Sequence, residues 1–250
     1  MTKYPTTPLS IVNLVITTFK AYPTLLPQVW LLVLLSALVH FIVPPLFMVN
    51  PTWGGVAFIG FILFTWFLYI AIIAIAHVAL QGGHLALPSA FRIARHRYLW
   101  VLGSNIIFFA IGALFFVVEY GLNLVLNIID QHPLFVLIVV AINLFIFVLL
   151  YFAIPLLALE HTRILKAFEH SARLVKNNWW RTFIVLAVIG LFILGFEALG
   201  VLFTGQNRMV LLTVIHFLNQ LIFYPLIISA TLILLNDLKL RHSQKELKTG

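Results

Sequence analysis

No cysteine occurs anywhere in the 250 residues. Disulfides, thiolate catalysis, cysteine metal sites and a lipoprotein anchor are thereby excluded, and the redox compartment stays open. Charge is almost as scarce. Only 9% of the residues are Asp, Glu, Lys or Arg, where a soluble domain carries about a quarter. Catalytic signatures are missing as well: the chain has no HExxH, no GxxxxGK(S/T) phosphate loop and no GxSxG elbow. No two histidines stand three or four apart, the spacing that helical metal sites use. An enzyme, a metal site and a bound cofactor are therefore not expected.

What the chain has in excess is apolar residues, 63% of the total. They come in runs of roughly 20 or more, long enough to span a bilayer. Continuous runs such as 70–76 and 136–142 exclude the alternating pattern of a membrane barrel. Inside lipid every backbone polar group needs an internal partner, so the expected fold is all-α. The sequence predicts one membrane domain over residues 1–238, with spans at about 25–43, 54–80, 99–118, 134–159, 180–203 and 209–235. A basic tail follows at 239–250. Pro44 and Pro45 are expected to stop the first span, and Gly82 and Gly83 to close the second. The N-terminal segment is polar and lacks the short apolar core of a signal peptide, so the first span is expected to remain in the mature protein.

Fourteen of the fifteen basic residues fall on one side of this arrangement. Lys3 and Lys20 precede the first span. Arg92, Arg95 and Arg97 follow the second. Arg163, Lys166, Arg173, Lys176 and Arg181 follow the fourth, and Lys239, Arg241, Lys245 and Lys248 the sixth. Arg208 stands alone on the other side. Such asymmetry orients spans with the bases inside, so both termini are expected in the cytoplasm of a bacterial inner membrane. The net charge of +8 is explained by orientation and anionic headgroups, and nucleic acid is not an expected partner.

Helical spacing continues into the basic connections. Residues 8–21, 87–98 and 162–177 each put apolar side chains on one side and bases on another, which predicts three short amphipathic helices at the inner surface, apolar side down. Surface helix, outward span and inward span then recur three times, a threefold internal repeat. Ala90-Phe91 corresponds to Ala167-Phe168, and Glu119 to Glu197 at nearly the same offset.

The stretch Phe152-Ala-Ile-Pro-Leu-Leu-Ala-Leu-Glu160, followed by Ala167-Phe168-Glu169-His170-Ser171 and Trp179-Trp180-Arg181, resembles the membrane domain of some glycerophosphoryl diester phosphodiesterases and of YciC-type bacterial inner-membrane proteins. Pro155, Glu160, Ser171, Trp179 and Trp180 carry the resemblance. It implies a multi-span protein connected with envelope maintenance. In the diesterases catalysis belongs to a separate soluble domain, so the resemblance implies no enzymatic activity for this chain.

Three sets of candidate residues remain. Glu119 and Glu197 form either an outer acidic pair or two hydrated interfacial carboxylates. At 1.5 Å per residue they lie about 32 Å from Tyr98 and about 26 Å from Trp180, near the far headgroups. Asn143, His216, Asn219 and Gln220 lie near mid-depth and form either interhelical hydrogen bonds or the lining of a transport path. Arg92, Arg95, Arg97, Arg163, Lys166, Arg173, Lys176 and Arg181 form a candidate surface for anionic lipid or a membrane-protein partner. Glu160-His161 and Glu169-His170 fall on opposite faces of a continuous helix and are not expected to meet.

Overall fold

The computed structural model describes residues 4–49, 51–126, 133–160, 162–202 and 208–249, with side chains placed for 4–36, 38, 55–114, 117, 137–160, 162–196, 198, 214–215 and 217–247. The described residues form eight helices: α1 (Ile11–Val49), α2 (Pro51–Leu80), α3 (Leu87–Leu126), α4 (Pro133–Leu150), α5 (Ala153–Leu159), α6 (Ile164–Lys176), α7 (Trp179–Leu202) and α8 (Arg208–Thr249). Six segments of this set are long and apolar enough to cross a membrane. The chain is an all-helical, multi-pass membrane protein.

Ser10 starts α1, its hydroxyl accepting the Asn13 N–H at 3.1 Å and its carbonyl the Leu14 N–H at 2.9 Å, as an N-cap residue does. The helix then runs without interruption to Val49, through Pro23, Pro27, Pro44 and Pro45. The expected stop at Pro44-Pro45 is not observed. A missing N–H costs a membrane helix less than an open backbone end in lipid would. The second expected stop is where the sequence puts it. Gly82 adopts φ 84°, the Gly82 N–H reaches the Ala79 carbonyl and the Gly83 N–H that of Val78, both at 2.9 Å. These are the two bonds of a Schellman cap, which needs a residue without Cβ at this position.

Two of the three expected surface helices are not separate elements. Residues 11–21 of the first and 87–98 of the second are the opening turns of α1 and α3. Nothing between Tyr98 and Val101 breaks a helix, so α3 continues into its span. Residues 164–176 do form a distinct helix, set off by the Asn177–Asn178 turn. Its inward face is not left for lipid: Ala167, Ser171, Leu174 and Val175 are buried against the bundle. Span four is also divided, at Tyr151–Phe152.

α8 is the most buried span. α1 packs along both α2 and α8, α2 along α3, and α7 along α8. α5 and α6 pack on each other, α5 also on α3, and α4 packs on α6 and α7. The buried core collects at the end of the bundle where the bases lie: the last turns of α2, most of α5, and much of residues 226–238 of α8. α8 has 42 residues, about 63 Å at 1.5 Å each, twice the thickness of a hydrocarbon core.

Candidate functional site

At the basic end the N-terminal segment is strapped across the bundle. The Tyr4 N–H bonds the Leu80 carbonyl at 2.9 Å, the Tyr4 hydroxyl meets His77 Nδ1 at 2.9 Å, and Asn236 Nδ2 donates to the Pro5 carbonyl at 3.0 Å. Burial pushes the Tyr4 phenol above its ordinary range.

The strap ends at Asp237, whose side chain is fully buried. Its carboxylate accepts the Leu9 N–H at 2.7 Å, Arg181 Nε at 3.0 Å and Arg241 Nε at 2.9 Å. Both guanidinium groups also donate through Nη2 to the Leu9 carbonyl. One carboxylate thus joins the N-terminal segment, α7 and α8. Sequence reasoning passed over Asp237. The usable signal was its four-residue spacing from Arg241 inside α8.

This knot corrects the expected basic surface. The Arg181 side chain is 14% exposed and ion-paired with Asp237, so it is largely withdrawn from the surface. Arg97 is 8% exposed and also leaves the surface, because α3 turns it to the same side as Ala90, Ala94 and Val101, which are buried. Arg173 is exposed but paired with Glu169. Arg92, Arg95, Arg163, Lys166 and Lys176 are exposed, and among the described residues none of the five has an ion-pair partner.

The residues singled out between 150 and 181 are brought together. Ser171 Oγ donates to the Leu149 carbonyl at 2.7 Å and accepts the Phe152 N–H at 3.2 Å. It fills the break in span four, where Pro155 has no N–H to continue the ladder. Trp179 Nε1 donates to the Phe145 carbonyl at 3.3 Å, and its ring stacks on Phe145 and Phe183. Trp180 is 69% exposed. Glu160 ends α5 and binds Lys239 at 2.5 Å, with His170 Nδ1 at 3.4 Å. The expectation that Glu160 and His170 point apart is thus overturned. It assumed one continuous helix, and the chain instead turns between α5 and α6, folding His170 back toward Glu160.

Other candidates stay apart from this cluster. Asn143 donates to the Val139 carbonyl of its own helix at 2.9 Å. Asn219 is buried in α8 and Gln220 half-buried beside it. His216, Glu119 and Glu197 have side chains outside the described residues.

Two hollows flank α3. A cavity of about 700 Å³ lies between α2, α3 and the α4–α5 junction, lined by apolar and aromatic side chains including Trp66, Leu102, Ile106 and Phe109. Asn105, Tyr69 and Tyr151 bring polar atoms to its lining. The Asn105 amide donates to the Val101 carbonyl, and the Tyr151 hydroxyl meets Thr231 at 2.8 Å. A second cleft of about 440 Å³ is lined by Phe67, Pro88, Phe91, Arg92 and Arg95. Comparison with protein-family models, curated proteins and solved structures finds no match for this chain.

Proposed function

We propose that this chain is a non-enzymatic protein of a bacterial inner membrane, with both termini in the cytoplasm. In this reading it is a scaffold or accessory factor in envelope homeostasis, and its working surface is the basic end of the bundle, which engages anionic lipid. One observation carries the reading. α6 is fixed to the bundle through Ser171 and its buried neighbours, while Lys166 and Lys176, with Arg163 just before the helix, are exposed and have no ion-pair partner among the described residues. Bases held rigidly and left unneutralised suit a negatively charged layer. Each contributes about 1 kcal/mol there, so the three together contribute on the order of 3 kcal/mol. The resemblance of residues 152–181 to envelope-associated membrane domains agrees with this role.

The permease reading, with a polar path through Asn143, His216, Asn219 and Gln220, draws less support. The large cavity is walled by apolar and aromatic groups, and Asn143 is engaged within its own helix.

The test is to extract the full chain in polymer-bounded native membrane discs and quantify the lipids that come with it. Anionic lipid is expected to be enriched over the bulk membrane, and R163Q/K166Q/K176Q to remove most of that enrichment. Equal lipid composition around the wild type and this variant would refute the reading.

A further inference from the structure

The cavity beside α3 and the arginine cleft share one helix stripe. Residues seven apart on an α-helix differ in direction by only about 20°. Arg95, Leu102 and Phe109 therefore follow one another along α3, as do Arg92 and Ile106. At 1.5 Å per residue the Arg95 backbone stands about 10 Å from that of Leu102. The cavity offers an apolar volume of about 700 Å³, within the range of lipid and small-ligand sites. The cleft offers two exposed guanidinium groups beside Phe67 and Phe91, and among the described residues neither group has an ion-pair partner. Guanidinium forks are the side chains best matched to phosphate oxygens.

An apolar hollow and a dibasic cleft, arranged in order along one membrane helix, define an amphiphile. We propose that this is a binding site for one anionic phospholipid, its phosphate on Arg92 and Arg95 and an acyl chain running along α3 into the cavity. A purely apolar occupant would leave the cleft unused. A free phosphate would leave the cavity unused. The inference deepens the anionic-lipid reading above and rests on it, but places a single retained lipid at α3 rather than a diffuse layer at α6.

The experiment uses the full chain, delipidated in detergent and titrated separately with phosphatidylglycerol, phosphatidylethanolamine, diacylglycerol and inorganic phosphate, with bound species counted by native mass spectrometry. One phosphatidylglycerol per chain is expected to survive collisional activation. R92Q/R95Q is expected to weaken it by on the order of tenfold, the equivalent of about 1.4 kcal/mol. I106W narrows the cavity from a position 61% exposed, where the fold tolerates bulk, and is expected to weaken it similarly without changing the melting temperature. R163Q/K166Q/K176Q is expected to leave this one-lipid complex unchanged even though it removes the enrichment at α6. The proposal is overturned if neutral lipid or phosphate alone binds as well, if R92Q/R95Q and I106W both retain the lipid, or if the α6 variant is the one that loses it. Retention of this lipid without enrichment at α6 would instead refute the α6 reading alone.

Discussion

Asp237 is the most demanding residue in the molecule. Taking a carboxylate out of water costs several kcal/mol, and opposing charge offsets this only with good geometry and satisfied lone pairs. Asp237 meets those terms with two guanidinium donors and a backbone N–H. D237N keeps the shape but leaves the Arg181 and Arg241 side chains facing each other without a counter-charge. It is expected to lose about 3–5 kcal/mol, the usual cost of breaking a buried pair, read as a fall in melting temperature of the detergent-solubilised chain. R241Q should cost less, since Arg241 is 31% exposed and solvent screens part of its contribution. If D237N melts with the wild type, the knot does not hold the strap. Half of this site was legible in advance. The spacing of Asp237 and Arg241 is a helix pair that the sequence displays. Leu9 and Arg181 lie 228 and 56 residues from Asp237, and no local pattern encodes contacts over such separations. An acidic residue among bases at the end of a span otherwise looks like a solvated tail.

Among elements, run length was a sound guide, while local breakers held at Gly82-Gly83 and failed at Pro44-Pro45. All six apolar stretches correspond to helices long enough to span, because the cost of unpaired backbone in lipid forces the same solution on each. The joints depend on smaller balances. Four prolines fail to end α1, whereas the α4–α5 helix pair divides at Tyr151–Phe152 because Ser171 is there to satisfy the freed groups. Ser171 stood out in the sequence as part of the family resemblance, and its partner, a helix break 19 and more residues earlier, was invisible. S171A orphans the Leu149 carbonyl and the Phe152 N–H together, each costing about 1–3 kcal/mol when buried unpaired. Expected is a lower melting temperature with faster amide exchange confined to residues 149–156 and α6. Uniform acceleration across α1 and α2, or none anywhere, would show that Ser171 does not close the break. α6 also sits close to α3: a Cβ added at Gly103 would stand 2.8 Å from Ile164 Cδ1, so the tip of the Ile164 side chain packs over the bare glycine. The same reasoning bears on the proposed threefold repeat. The first two units have continuous entering helices, and the third has α6 and α7 divided at Asn177–Asn178, so any common ancestry would have to accommodate this difference.

For the molecule as a whole, the ends of α2 and α5, residues 236–241 of α8 and the N-terminal strap meet at one end of the bundle, tied by Tyr4, Asn236 and the Glu160–Lys239 pair. The exposed bases of α3 and α6 belong to neighbouring segments of the same chain, and fourteen of the fifteen bases share a side in the span count. Charge bias of this kind decides orientation during insertion, because carrying Lys and Arg across the bilayer is unfavourable. The absence of cysteine makes the consequence directly measurable, since each introduced thiol is then the sole reactive one. H84C, in the turn after α2, and K176C, at the end of α6, are expected to react with a membrane-impermeant maleimide in inside-out vesicles and not in intact cells. Q206C, between the fifth and sixth apolar stretches, is expected to do the reverse. His84 and Lys176 are both exposed, so labelling there reports sidedness rather than burial. If H84C and K176C label from opposite sides, the chain crosses an odd number of times between them. The basic end then ceases to be one surface, and with it goes the physical basis for a single lipid-facing site at α6.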